Sequence, residues 1–247
     1  MTRIVMPILL LLSLVSCSSY AISTIRYRLT FEIEANGEVK SASSVIQLKY
    51  YQGQSTTGSP VVLSATYGVS PVIDLGKSGM LLLSIGQHHW GTKFLQRKIY
   101  DAPCGGGFND GDLVTAVLVE NTFGLNVRNA GNNDKQWQLA RKIGELRQGK
   151  RTLNQNNLPA FIWFPENGSY DQGQYLCADE FSHVLGDKVT LRSVTVEIAP
   201  TAQVVEKLEV HTPWLEQLRA KQKSTNHTFD RYDVFVPRLS QFEKHGR

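Results

Sequence analysis

The strongest constraint on the fold is an alternating segment that runs into a tight turn. Between residues 25 and 35, apolar and polar side chains alternate without a break, which predicts a strand buried on one face. Asn36-Gly37 follows and favours a type I′ turn, because both residues tolerate positive φ. Residues 38–51 then return as a second strand, so the sequence predicts a long antiparallel hairpin. The apolar positions of the first strand are Ile25, Tyr27, Leu29, Phe31, Ile33 and Ala35.

Further short apolar runs, separated by glycine, proline and serine, predict that strands dominate the first half of the chain. A bulge is expected near Arg192-Ser193, where the alternation of the late strand slips in phase. The predicted strands after the hairpin are 61–67, 72–75, 80–85, 113–119, 160–164, 189–198 and 203–210, with residues 92–100 as a strand or a short helix.

Two segments carry helix signals. Asn132 or Asn133 can cap a helix near Asp134, whose apolar residues recur every three positions up to Leu146, with Gly149 as the residue after its end. Thr212-Pro213 predicts the start of a second helix, to about Lys221. The expected fold is mainly β (a β-rich α+β class): an antiparallel sheet or sandwich with two or three helices. We expect one domain over residues 25–222, or a division near residues 103–130.

The N-terminus predicts export. Arg3 precedes an apolar run of about a dozen residues, which is shorter than the roughly 20 that span a bilayer. Leu14-Val15-Ser16-Cys17 resembles the bacterial lipobox, in which the cysteine is lipidated and becomes the mature N-terminus. Two alternatives are cleavage after Ala21 to release a soluble, adhesive or toxin-like protein, and a membrane anchor.

The lipobox resemblance implies a signal peptide over residues 1–16, a tether over 17–24 and a location. The composition of residues 223–247 separately predicts a basic polar tail. Ser18, directly after the cysteine, favours the outer membrane among diderm lipoproteins, so we expect an outer-membrane lipoprotein facing the periplasm.

The three cysteines fit this location. With Cys17 lipidated, Cys104 and Cys177 remain to form a disulfide that closes a loop of roughly 70 residues. The alternative is a pair of buried free thiols.

The formal charge of +4 is too small to indicate a nucleic-acid-binding protein. A row of cations nevertheless follows the outward face of the first helix: Lys135, Arg141, Lys142 and Arg147. Such a row is typical of a solvated helix near its negative dipole end. The alternative is a patch that contacts an envelope protein, an anionic lipid or a glycan.

Candidates for chemistry are few, and no cofactor is predicted. Asp179 and His183 would share a helix face next to Glu180, as an acid–base or metal site. Asp110 and Asp112 lie in a glycine-containing loop that could hold calcium, although the EF-hand spacing is absent. The disulfide would bring the two loops together.

Four segments resemble uncharacterised exported proteins of bacteria, chiefly proteobacteria: residues 27–34, 43–46, 72–76 and 212–215. The resemblance implies an exported protein and brings no activity or catalytic residue with it. The sequence therefore favours a non-enzymatic envelope lipoprotein that binds a partner or has a structural role. The alternative is a hydrolase acting on envelope material.

Overall fold

A computed structural model describes residues 21–55, 57–86, 104, 113–166, 172–205, 208, 213–224 and 243–244. Within these ranges the chain forms ten strands and four α-helices. The strands are β1 Ala21–Ala35, β2 Glu38–Gln54, β3 Pro60–Val69, β4 Val72–Asp74, β5 Met80–Leu83, β6 Lys150–Thr152, β7 Phe161–Phe164, β8 Gln174–Leu176, β9 Val189–Ile198 and β10 Glu243–Lys244. The helices are α1 Val114–Phe123, α2 Asn133–Glu145, α3 Phe181–Leu185 and α4 Pro213–Ser224. The mainly β, α+β fold class is confirmed.

The predicted hairpin is confirmed as β1 and β2. Asn36 and Gly37 both have positive φ (55° and 83°), as a type I′ turn requires. The six apolar side chains of β1 from Ile25 to Ala35 are buried and define the inner face of the sheet. β1 begins at Ala21, four residues before the predicted start, and therefore occupies residues 21–24 of the predicted tether.

The hairpin is the centre of a six-stranded antiparallel sheet with the order β10-β3-β2-β1-β9-β6. The predicted bulge in β9 is confirmed. Glu32 pairs with Ser193 and Ile33 pairs with Leu191, so Arg192 is an extra residue without a direct partner on β1. The bulge returns the apolar residues of β9 to the inner face despite the slip in the sequence pattern.

The predicted strand at residues 113–119 is wrong, because these residues begin helix α1. Every residue from Val114 to Glu120 is buried, so the helix presents no polar face and its sequence lacks a helical period. Three valines in the run add a strand-like bias. The helix ends at Gly124, which takes the left-handed conformation (φ 68°).

Helix α2 confirms the predicted cap. The Asn132 side chain accepts a hydrogen bond from the Lys135 backbone N–H at 2.9 Å. Ala140 and Ile143 are its buried residues. The helix ends at Glu145, earlier than Gly149 suggested, since Leu146 already has an extended backbone.

A second antiparallel sheet with the order β4-β5-β7-β8 packs between the first sheet and α4. Its side chains alternate between two cores, as Leu81 and Leu82 illustrate. On the far side, Trp214 of α4 stacks on Phe164 with ring centroids 3.9 Å apart. This confirms that the helix starting at Pro213 docks on a sheet.

Two predictions about the C-terminal region need comment. Residues 203–205 and 208 form no strand, so the strand predicted over 203–210 is wrong at those positions. Leu208 instead packs into the second core beside Trp214, which draws the chain away from the sheet edge. In the predicted tail, Glu243–Lys244 pairs with Val69 and Gly68 of β3. Residues 92–100 lie outside the described ranges.

Candidate functional site

The predicted disulfide is present and joins Cys104 to Cys177 across 73 residues of sequence. The alternative of two free thiols is therefore wrong. Cys177 directly follows β8 and is buried, and Cys104 has a positive φ of 49°. Both cysteines belong to the second core.

An open pocket of about 480 Å³ lies beside this disulfide. Its volume is in the range that small ligands occupy. Besides the two cysteines, the apolar lining residues are Leu153, Leu158, Ala178, Leu191 and Val194, and the polar ones are Gln155, Asp179, Thr190, Arg192 and Ser193.

The pocket exists because β6 covers only part of β9. β6 pairs with Thr195 to Glu197, and the Leu153 N–H then donates to the Val194 carbonyl at 2.8 Å. Before Val194, β9 has no strand partner on this side among the described residues. The edge of the sheet therefore forms one wall of the pocket.

The two polar residues at the bulge are held by carboxylates of β1. The Ser193 hydroxyl donates to Glu32 Oε2 at 3.1 Å, and Arg192 Nε lies 3.5 Å from Glu34 Oε2. Both contacts are between neighbouring strands and orient side chains that line the pocket. The pocket thus offers apolar surface together with positioned hydrogen-bonding groups.

Of the three predicted acid–base residues, only Asp179 lines the pocket. The segment is not one continuous helix: residues 178–180 form a 3₁₀ turn and α3 begins at Phe181. Glu180 is buried, and its Oε2 accepts the Cys177 backbone N–H at 2.7 Å. His183 is exposed on α3. The structure therefore does not gather Asp179, Glu180 and His183 around one reaction centre.

Three further predicted site residues lie outside the described residues: Cys17, Asp110 and Asp112. In the part of the chain that is described, no three histidine, cysteine or acidic residues are grouped to hold a metal.

The predicted basic patch is exposed in full. Lys135, Arg141, Lys142 and Arg147 all lie at the surface, and Arg147 Nη1 donates to the Gly144 carbonyl at 2.8 Å. Past the helix, Lys150 and Arg151 of β6 are also exposed, but successive strand residues point to opposite faces of the sheet. We call the four cations Lys135, Arg141, Lys142 and Arg147 the basic surface.

Helix α2 is fixed against the beginning of β1. The Ser23 hydroxyl donates to the Ala140 carbonyl. Gly144 also lies against Ser23, since a Cβ on Gly144 would stand 2.5 Å from the Ser23 Cβ. Any larger residue at 144 would push the helix away. The basic surface is therefore next to the point where the chain enters the fold.

A buried polar network, which the sequence did not indicate as a site, holds α1 and the α1–α2 connection together. Tyr50 donates from its hydroxyl to Glu120 Oε1 at 3.1 Å. Glu120 Oε2 accepts the Val127 N–H at 3.0 Å and lies 3.4 Å from Arg128 Nε. Tyr27 completes the contact with α1 by donating to the Thr115 carbonyl at 3.1 Å.

Removal from water is the largest influence on the pKa values of Glu120 and Tyr50 in this network. Burial raises the pKa of Glu120, although the Arg128 guanidinium and the Tyr50 hydroxyl oppose the rise. Burial, and then the nearby Glu120 carboxylate, also raise the pKa of Tyr50. The sequence contains one signal of this network, a single glutamate at the end of an apolar run. A carboxylate in a buried element must find partners, so such a glutamate indicates a buried polar contact.

Comparisons with protein-family models, curated proteins and solved structures produce no significant match. None of the helices in the described ranges has both the length and the hydropathy needed to cross a bilayer.

Proposed function

We propose that this chain is an envelope lipoprotein, lipidated at Cys17 and facing the periplasm, whose β-rich domain is a non-enzymatic binding module. The supporting observation is the start of β1 at Ala21. At most three residues, Ser18, Ser19 and Tyr20, separate the lipobox cysteine from a strand at the centre of the main sheet. A lipid on Cys17 would therefore hold the folded domain directly at the membrane.

The alternative cleavage site fits the fold less well. Ala21 pairs with Tyr51 of β2, and Ile22 packs on the core. Processing at Cys17 leaves β1 complete, whereas cleavage after Ala21 would remove its first residue.

The binding role is supported by the pocket beside the disulfide. It combines apolar side chains with polar groups that neighbouring strands hold in place, and its volume suits a small ligand or a single side chain of a partner. The hydrolase alternative is supported less well. Of its five proposed residues, Asp179 lines the pocket, Glu180 accepts the Cys177 N–H and His183 does not line the pocket, while Asp110 and Asp112 lie outside the described residues.

The test is the intact mass of the mature protein purified from membranes. We expect residues 17–247 with a diacyl or triacyl adduct, recovered from the outer-membrane fraction. Cys17→Ser should abolish the adduct, and Ser19→Ala, as the matched control, should retain it. An unmodified chain that starts at Ile22 would overturn the proposal.

A further inference from the structure

We infer that the basic surface docks on anionic phospholipid headgroups of the membrane that carries the lipid anchor. This inference rests on the proposed function, because the lipid is what brings the surface to the bilayer. It adds a second contact with the membrane, and with it a defined orientation of the domain.

The tether is too short to hold the domain away from the bilayer. Cys17 and Ala21 are four residues apart, so even a fully extended chain separates their Cα atoms by at most about 14 Å. Ser23, two residues further on, contacts Ala140 and Gly144 of α2. Arg141 and Lys142 follow Ala140 directly in the helix, so the anchor holds these cations close to the headgroups.

The charge of this region suits an anionic surface. Residues 133–147 contain the four cations of the basic surface and two carboxylates, Asp134 and Glu145. Arginine and lysine bind phosphate oxygens through charge-assisted hydrogen bonds, and each such side chain near an anionic membrane strengthens binding.

The far end of the hairpin carries charges of both signs. Glu32, Glu34 and Glu38 lie toward the turn, but so do Lys40 and Lys188, and Arg192 lies 3.5 Å from Glu34. Ala35 is about 45 Å from Ala21 along a strand that rises roughly 3.3 Å per residue, so this end is far from the anchor. The Debye length of about 8 Å at physiological ionic strength restricts the attraction to groups close to the membrane.

The experiment measures vesicle binding without the lipid anchor. The mature chain, residues 17–247 with Cys17→Ser, is sedimented with vesicles of phosphatidylcholine alone or of phosphatidylcholine containing phosphatidylglycerol. We expect binding only to the second kind, and weaker binding as salt is raised. Arg141→Glu/Lys142→Glu should reduce the partition coefficient at least about 25-fold, or about fivefold for each cation.

The matched control is Lys77→Glu/Lys188→Glu, which changes the net charge equally at two exposed lysines near the far end. The Lys188 carbonyl accepts a hydrogen bond from the Asn36 N–H at the turn. Lys77 lies three residues after Asp74, whose carbonyl accepts a hydrogen bond from the Lys40 ammonium. This variant should bind almost as well as the parent. Circular dichroism and urea unfolding of both variants verify that each is folded.

Three outcomes would overturn the inference: equal binding to neutral vesicles, equal losses in the two variants, or binding to a soluble anionic glycan with none to vesicles. The intact mass of the native protein shows, independently of vesicle binding, whether Cys17 is lipidated. An unlipidated native chain whose Cys17→Ser form still binds anionic vesicles would refute the anchor and retain the surface.

Discussion

Glu120 shows most clearly how one residue organises the interior. It is completely buried on α1, and its two oxygens contact the Tyr50 hydroxyl, the Val127 N–H and Arg128. Removing one partner of a buried pair leaves the other uncompensated, at a cost of about 3–5 kcal/mol. The carboxylate thus ties the connection before α2 to the centre of the sheet.

The pH dependence of stability should reveal this residue. The folded-state pKa of Glu120 is raised above its ordinary value of 4.5, so the folded protein keeps the proton to higher pH than the unfolded chain does. The resulting stability is complete below about pH 4.5 and is lost as the pH rises through the raised pKa. Glu120→Gln removes this titration and costs about 1–3 kcal/mol, since the amide N–H₂ faces other donors.

The measurement is urea unfolding of the parent and of Glu120→Gln between pH 4 and pH 8. The stability gap between them should be largest at the acid end and should narrow as the pH rises. Glu145→Gln, at an exposed position of α2, should differ from its parent by less than about 0.5 kcal/mol throughout. A gap that widens toward neutral pH would mean that folding lowers the pKa of Glu120.

Residues whose contacts are close in sequence could be predicted from the sequence, and residues whose partners are far away in sequence could not. Asn36-Gly37 and the Asn132 cap act within three residues of themselves, so composition and spacing were sufficient. Glu120 acts on Tyr50, 70 positions away. Nothing in the local pattern identifies such a partner.

At the scale of elements, the two central helices show what periodicity can detect. α2 lies at the surface with one buried side and was predicted with its cap. α1 is buried over seven consecutive residues, so its sequence has no polar face that repeats with a helical period, and the apolar run predicts a strand. Periodicity cannot distinguish a helix from a strand when residues on all sides of the element are buried.

The disulfide should be an important element of stability. Replacing both Cys104 and Cys177 with alanine opens a 73-residue loop in the unfolded chain and should cost about 2–4 kcal/mol. The urea midpoint measures the loss, and the reducing agent dithiothreitol should produce a similar fall in the parent protein.

Cys17→Ser is the control for this comparison, because it replaces a cysteine that is not part of the Cys104–Cys177 disulfide. It should leave the urea midpoint unchanged. A double alanine variant as stable as the parent would show that packing in the second core is sufficient to fix the segment around Cys104.

At the scale of the whole molecule, the exposed cations of α2 lie at one end of the central hairpin. Helix α2 contacts Ser23 near the start of β1, whereas the turn end carries carboxylates and cations together. An anchored domain with this distribution of charge should have a preferred orientation on the membrane.

This orientation can be measured with the lipidated protein in vesicles containing phosphatidylglycerol. Lys142→Cys and Lys77→Cys are each labelled with a fluorophore, and the membrane carries a spin-labelled headgroup that quenches it. Quenching at residue 142 should be several-fold stronger than at residue 77. The buried Cys104–Cys177 disulfide should not react with the label.

Equal quenching at the two positions would mean that the anchored domain tumbles freely. A 20-residue Gly-Ser insertion between Ser19 and Tyr20 gives the reference for weaker restraint. It should reduce the quenching at residue 142 without affecting the stability of the fold.

The sequence by itself determined the hairpin, the bulge in β9, the cap of α2, the docking of the last helix and the mainly β class. Each depends on contacts that are short in sequence or on a pattern that repeats along one element. Tertiary structure alone decided that residues 114–123 are helical, that β6 leaves part of β9 uncovered beside the disulfide, and that α2 lies against Ser23. These features arise where segments distant in sequence compete to bury the same surface, and the result depends on which of them pack together rather than on the preference of any one.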